Sequence, residues 1–160
     1  TDGWISGQLD VCFWRKDSNS DKEPENISTN VRGTFDINSW EESPYDEQDG
    51  TKLTRTHVTK TFSGEIEGTS TAELLMVYGA VQGSAAYAGF ERITASVNGR
   101  SGSFVLHHTA TSDASHGPPT ATWSVVPDSG KGELKGLRGK ADISRDSDGG
   151  HAFALDYNFE

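Results

Sequence analysis

Turn-forming residues cut this chain into short pieces at regular intervals. Asp49-Gly50, Asn98-Gly99, Pro118-Pro119, Asp128-Ser129-Gly130 and Asp148-Gly149-Gly150 separate runs rich in Val, Thr, Ser, Phe and Tyr. Each separator is built from residues that tolerate the backbone angles of tight turns. The runs between them are expected as strands at Val31–Ser39, Lys52–Gly64, Ser70–Gly79, Ser84–Val97, Ser101–Thr111, Thr120–Val126, Leu134–Ser144 and Ala152–Phe159. No helical periodicity lasts three turns. Consecutive strands with short connections predict an all-β fold, a closed antiparallel up-and-down β-barrel of about eight strands, because closure removes the exposed edges of an open sheet. A β-sandwich is the competing architecture.

The 160 residues suit one domain. Twenty-four acidic against fourteen basic residues give a formal charge of −10, which repels phosphate backbones and argues against nucleic acid as a partner. No apolar run approaches the roughly 20 residues of a membrane-spanning helix, so no membrane partner is expected. TDGWISGQLD at the start lacks the basic and apolar stretches of a signal peptide, and an opening Thr1 leaves room for a segment upstream. Cys12 is the sole cysteine, which excludes an internal disulfide and suits a reducing, cytoplasmic setting. Asn26-Ile27-Ser28 is a glycosylation acceptor pattern that would matter only in a eukaryotic secreted protein.

Residues 1–30 read as an N-terminal extension. In its stretch Trp4–Arg15, Leu9, Val11 and Phe13 alternate, as in a strand added to the barrel's edge. The polar KDSNSDKEPENISTN that follows reads as a mobile loop, and the barrel domain is expected over 31–160. Ten acidic and two basic residues lie between Asp17 and Asp49. Without the D-x-D-x-D-G order of a calcium loop, this run reads as a solvated loop region.

Alternation decides which polar residues share a face with apolar ones. Glu91 falls with Tyr87 and Ile93, His108 with Phe104 and Leu106, Trp123 between Ala121 and Val125, and Glu73 with Leu75 and Val77. The candidate catalytic set is therefore Glu91, Glu73 and His108. The candidate ligand-binding set is Tyr87, Trp123, Phe104 and Leu106, with Trp40 and Tyr45 of SWEESPYDE closing one mouth. A carboxyl among apolar side chains tends to have a raised pKa and can exchange a proton near neutral pH, with a histidine as partner. The structural alternative is that these carboxylates pair with Arg92, Arg55 or Lys60 and fasten neighbouring strands.

No cofactor or metal is expected. His107 and His108 leave opposite faces of one strand, and His57, His116 and His151 show no ligand spacing. The glycines of GKGELKGLRG fit a tight turn and match no phosphate loop. In Ser70–Gly79 both faces are apolar, Leu75 and Val77 on one, Leu74, Met76 and Tyr78 on the other. A strand of that kind needs cover on its outer side, from the N-terminal segment or from another subunit, and a homodimer is the expectation.

Several motifs occurring in order carry a resemblance. GTFDINSWEESPY, KLTRTHVTKTFSGEIEGTSTAELLMVYG, YAGFERITASVNGRSGSFVLHH, WSVVPDSGKGELKGLRG and ALDYNFE resemble the family DUF3224, a domain of unknown function, over about Val31 to Glu160. The resemblance implies a small barrel of the allene-oxide-cyclase-like type and carries no established activity; plant allene oxide cyclases and dirigent proteins are similar in fold, without a match to their catalytic motifs. Two functional expectations follow. One is a binding module for a small hydrophobic molecule, and the other a cofactor-independent isomerase or cyclase acting on a lipid-like or polyketide-like substrate. A structural subunit with a lumen filled by its own side chains is a third.

Overall fold

The computed structural model describes residues 28–160. Nine strands form one sheet: β1 (Thr29–Gln48), β2 (Thr51–Gly64), β3 (Ile66–Tyr78), β4 (Ala85–Val97), β5 (Arg100–Ser112), β6 (Thr120–Val125), β7 (Lys131–Gly132), β8 (Leu137–Arg145) and β9 (His151–Phe159). Every pairing is antiparallel, each of the first five strands neighbours the next, and β6–β8, β8–β9 and β9–β1 complete the circle. Eight strands thus close an up-and-down barrel, and the two-residue β7 lies against β5. Among the described residues there is no helix, and so none long and apolar enough to cross a membrane. The expected extension strand, Cys12 and the loop as far as residue 27 lie outside the described residues, and the loop's last two residues, Thr29 and Asn30, already belong to β1.

Turn chemistry sets the register. Asp49 and Gly50 (φ 51° and 83°) join β1 to β2, and Asn98 and Gly99 (φ 48° and 82°) join β4 to β5. Positive φ at both central residues is what a two-residue hairpin requires, and it matches the strands' right-handed twist. From these turns the alternation runs inward, as read from the sequence for β4 and β5 and on the opposite parity for β3. Val58 and Phe62 of β2, Leu74 and Met76 of β3, Tyr87 and Ile93 of β4, and Phe104 and Leu106 of β5 all fill the lumen. Two apolar clusters result. One is built around Phe62, Ile93, Phe104 and Leu155, the other around Val58, Leu74, Met76 and Tyr87.

β1 corrects the sequence reading. Its expected end at Ser39 is overrun by nine residues, so the acidic stretch Glu41–Gln48 is strand and not loop. Two bulges make this possible, one between Ile37 and Ser39 and one between Pro44 and Asp46. The first inserts a residue and reverses the parity. Below it Phe35 faces Phe62; above it Trp40 faces Val58 and Glu42 faces Thr56, so Trp40 and Glu42 turn inward. The second leaves Tyr45 without a register partner, and it is 58% exposed. Glu73, expected inside, is also on the outer wall. Both faces of its strand are apolar, and it is the set of Leu74, Met76 and Tyr78 that the lumen takes.

Gly89 lies between Tyr87 and Glu91 on the inward side of β4. A Cβ there would stand 2.1 Å from the Glu73 carbonyl oxygen and 2.8 Å from Leu74 Cδ2. A backbone oxygen cannot swing aside as a side chain can, so the close approach of β3 and β4 depends on glycine. Gly89→Ala is expected to destabilise the barrel by about 2 kcal/mol. Urea denaturation checks this, and an unchanged midpoint would show that the two strands can separate without cost.

Candidate functional site

One polar side chain from each of five consecutive strands meets in the lumen: Lys60 (β2), Ser70 (β3), Glu91 (β4), His108 (β5) and Trp123 (β6), with Tyr87 of β4 joining them. Alternation explains their shared direction. Each occupies an inward position between apolar neighbours, Lys60 between Val58 and Phe62, and His108 between Leu106 and Ala110. All are buried, with Glu91 and His108 each 1% exposed and Lys60 5%.

Glu91 is the hub. Ser70 Oγ donates to its Oε1 at 2.5 Å, and Lys60 Nζ donates to its Oε2 at 3.2 Å. His108 Nε2 lies 2.7 Å from the same Oε2, a close polar contact whose angle falls short of good hydrogen-bond alignment, with the ring hydrogen left without a well-directed acceptor. On the other side of the ring, Tyr87 OH is 3.3 Å from His108 Nδ1, and Trp123 Nε1 donates to Tyr87 OH at 3.2 Å. With Trp123 donating and Tyr87 passing its own hydrogen to Nδ1, the neutral imidazole carries its hydrogen on Nε2, toward Glu91. Lys60 also stands 4.7 Å from the centre of the Phe35 ring, a cation–π contact that helps hold an ammonium out of water.

Burial alone would push the Glu91 carboxyl up, yet the Lys60 ammonium, with His108 and Ser70 beside it, outweighs burial and holds the group well below the usual carboxylate range. For His108 burial prevails over the attraction of Glu91, and the imidazole titrates below the ordinary histidine value. The sequence expectation of a carboxyl raised by apolar neighbours is therefore reversed for Glu91. It is a paired carboxylate, and of the three basic partners weighed, Lys60 is the one that reaches it.

A small internal cavity adjoins this network. Its walls are Phe35, Ile37, Trp40, Val58, Ala72, Leu74 and Ile143, with Lys60 and His108 as the two polar side chains. At about 10 Å³ it has room for a single water. Above it a second carboxylate, Glu42, accepts from Trp40 Nε1 at 3.1 Å, Thr54 Oγ1 at 2.6 Å and Tyr78 OH at 2.7 Å. Glu42 thereby tethers the half-buried Trp40 indole over the cavity.

The sequence-derived candidates divide accordingly. Glu91, His108, Tyr87 and Trp123 come together, and Trp40 lines the cavity. Phe104 and Leu106 are fully buried in the lower apolar cluster and do not line it. Tyr45 points to solvent, and Glu73 is on the outer wall with its side chain 61% exposed, 2.5 Å from His57 Nδ1. Ser70 and Glu42 were missed. Ser70 shares its face with Leu74 and Met76, a visible signal, whereas Glu42 turns inward only because of the bulge.

The model of the family described as protein of unknown function, DUF3224, matches residues 31–157. The chain belongs to this family. A solved structure of a DUF3224 protein of unknown function from Shewanella oneidensis MR-1 is similar to it: 36% identical, covering 83% of this chain and 98% of that one, with a TM-score of 0.72. No curated protein matches. The matched span includes every member of the lumen network, so Lys60, Ser70, Tyr87, Glu91, His108 and Trp123 all belong to the DUF3224 domain proper.

Two stability predictions follow from the pairing. Glu91→Gln leaves the Lys60 ammonium buried without its counter-charge and is expected to cost about 3 kcal/mol, a fall in Tm of roughly 10 °C. A thermal melt with Tm unchanged or raised would contradict the ion-pair assignment. The second concerns pH. Because His108 titrates lower in the fold than in the unfolded chain, where the value is about 6.5, the unfolded chain binds more protons as pH falls. The stability contribution of neutral His108 is therefore complete above about pH 6.5 and is lost below it. Glu91 acts with the same sign in a lower window, beginning near the unfolded carboxyl value of about 4.3. Melts across this range should show wild-type stability declining below about pH 6.5 and a shallower decline in His108→Asn; equal slopes would assign the effect to another group.

Proposed function

We propose that this DUF3224 barrel binds a small hydrophobic molecule end-on, with a carbonyl or carboxylate oxygen directed at Lys60 and His108. The observation that carries this reading is the composition of the internal cavity, seven apolar walls with two adjacent cationic or donor groups. Ligand pockets of this kind combine apolar lining with a few convergent polar groups. His108 Nε2 supports it further as a buried donor without a well-aligned acceptor, the kind of group that a ligand oxygen or a single water completes. An ammonium has three hydrogens, and Lys60 spends one on Glu91.

A cavity this small admits a ligand only if a wall moves. Trp40 is the wall suited to it, being half-buried, next to a bulge, and held through its indole N–H by Glu42. Outward rotation of the indole joins the cavity to the mouth of the barrel without disturbing the Lys60–Glu91 pair.

A second reading, a cofactor-independent isomerase or cyclase acting on a lipid-like or polyketide-like substrate, is favoured by the directed chain from Trp123 through Tyr87 and His108 to Glu91. A neutral imidazole between a phenol and a carboxylate can take a proton from a bound molecule and return it elsewhere.

The test uses a fluorescent fatty acid and the corresponding alcohol as probes. Trp40→Ala should bind the fatty acid about tenfold more tightly than wild type, prefer it to the alcohol, and lose the gain when Ala72→Phe refills the cavity. Equal binding by Trp40→Ala and Trp40→Ala/Ala72→Phe would place the probe outside the lumen and refute the proposal. Native mass spectrometry of protein from its own host identifies any retained molecule. Deuterium uptake into that molecule from heavy water, present in wild type and absent in His108→Asn, would favour the isomerase reading.

A further inference from the structure

The outer wall of the barrel carries a groove of about 640 Å³ that, among the described residues, neither the core nor the lumen uses. Leu75 of β3 is 50% exposed and Phe90 of β4 is 55% exposed, with exposed Ala88 opposite Leu75 in the strand register. Large apolar side chains standing side by side in a concave surface mark an interaction site far more often than the same residues scattered singly. The polar rim is already ordered. Glu73 is paired with His57, and the Phe90 ring stacks on His107 at 5.0 Å between centroids and 21° between planes.

We infer that this groove is the contact face between two copies of the chain. Charge selects that occupant. Each copy carries a formal −10, so two copies repel one another over most approaches. Among the described residues Glu73 is the one carboxylate bordering the groove, and it is paired; Arg55 borders the groove and exposed Arg92 follows Phe90 two residues along the strand. The face is therefore one through which two acidic chains can meet without adding to their repulsion. It is also self-complementary. Arg55 stands opposite Leu75 in the register, and Glu73 lies two residues from Leu75 on the same strand. A two-fold axis through the Leu75 and Phe90 patch can set the Arg55 of each copy against the Glu73 of the other, with the apolar side chains between them. Face-to-face packing of sheet walls with such side chains interdigitated is an ordinary way for β-proteins to associate.

Sedimentation equilibrium of the full chain tests this directly. Wild type should sediment at twice the chain mass. Leu75→Glu and Phe90→Glu should each bring the mass down by half while leaving the circular dichroism spectrum unchanged, since both side chains lie outside the barrel's core, and should remove any dependence of Tm on protein concentration. Arg55→Glu should weaken association about tenfold, and Arg55→Glu with Glu73→Arg should restore it. A wild type that stays monomeric at every concentration overturns the inference, and so does a dimer that survives both Leu75→Glu and Phe90→Glu. A monomer that binds phosphatidylglycerol vesicles through Phe90 overturns it too, giving the groove to an anionic lipid surface. Fatty-acid binding in the lumen is a separate readout, so the two proposals stand or fall independently.

Discussion

An ammonium and a carboxylate held out of water at mid-height of the barrel set the conditions for everything around them. Lys60 and Glu91 sit where the lower apolar cluster meets the upper one, and neither could be there alone. An isolated buried charge costs several kcal/mol, and mutual attraction offsets that cost only when further hydrogen bonds complete the pair. Ser70 provides such a hydrogen bond from β3, His108 stands against the carboxylate from β5, and Tyr87 and Trp123 extend the network to β6. A pair that must be satisfied from several strands also specifies how those strands are placed. A one-residue slip of β2 against β3 would carry Lys60 to the outer wall and leave Glu91 stranded.

The same arrangement gives the lumen two characters. Its walls are apolar, while its two polar side chains are the Lys60 ammonium and the His108 imidazole. Burial outweighs the pull of Glu91 and leaves His108 neutral, and therefore able to act as donor or acceptor. The interior of the barrel is thus chemically prepared even where it is physically almost full.

Much of this was legible in the chain because a period of two is hard to disguise. Glu91 with Tyr87 and Ile93, His108 with Phe104 and Leu106, and Trp123 with Val125 could be grouped by counting alone, and the hairpin turns Asp49-Gly50 and Asn98-Gly99 fixed where the counting began. It went wrong where counting lacks the needed information. In β3 both faces are apolar, so parity could separate Glu73 from Leu74 without saying which of them was inside. In β1 an inserted residue near Asn38 changes the parity midway, and no composition signal announces it. The acidity of Trp40 to Gln48 then made strand resemble loop. The dependence of Glu91's pKa on Lys60 needed the third dimension, because 31 residues separate them in sequence.

The upper half of β1 has one more consequence. β9 reaches only as far as Phe35 along β1, so from Asp36 to Gln48 the strand pairs with β2 on one side and with no other described strand on the second. A row of backbone donors and acceptors in that position is an adhesive, ready to recruit any extended segment that passes. Two bulges break the row's spacing, Pro44 removes a donor from it, and Asp36, Glu41, Asp46 and Glu47 surround it with negative charge. What reads in the sequence as a merely hydrophilic stretch is, in the folded barrel, a guarded seam. Bulges, a proline and clustered charge are the devices by which strand edges resist pairing with other strands.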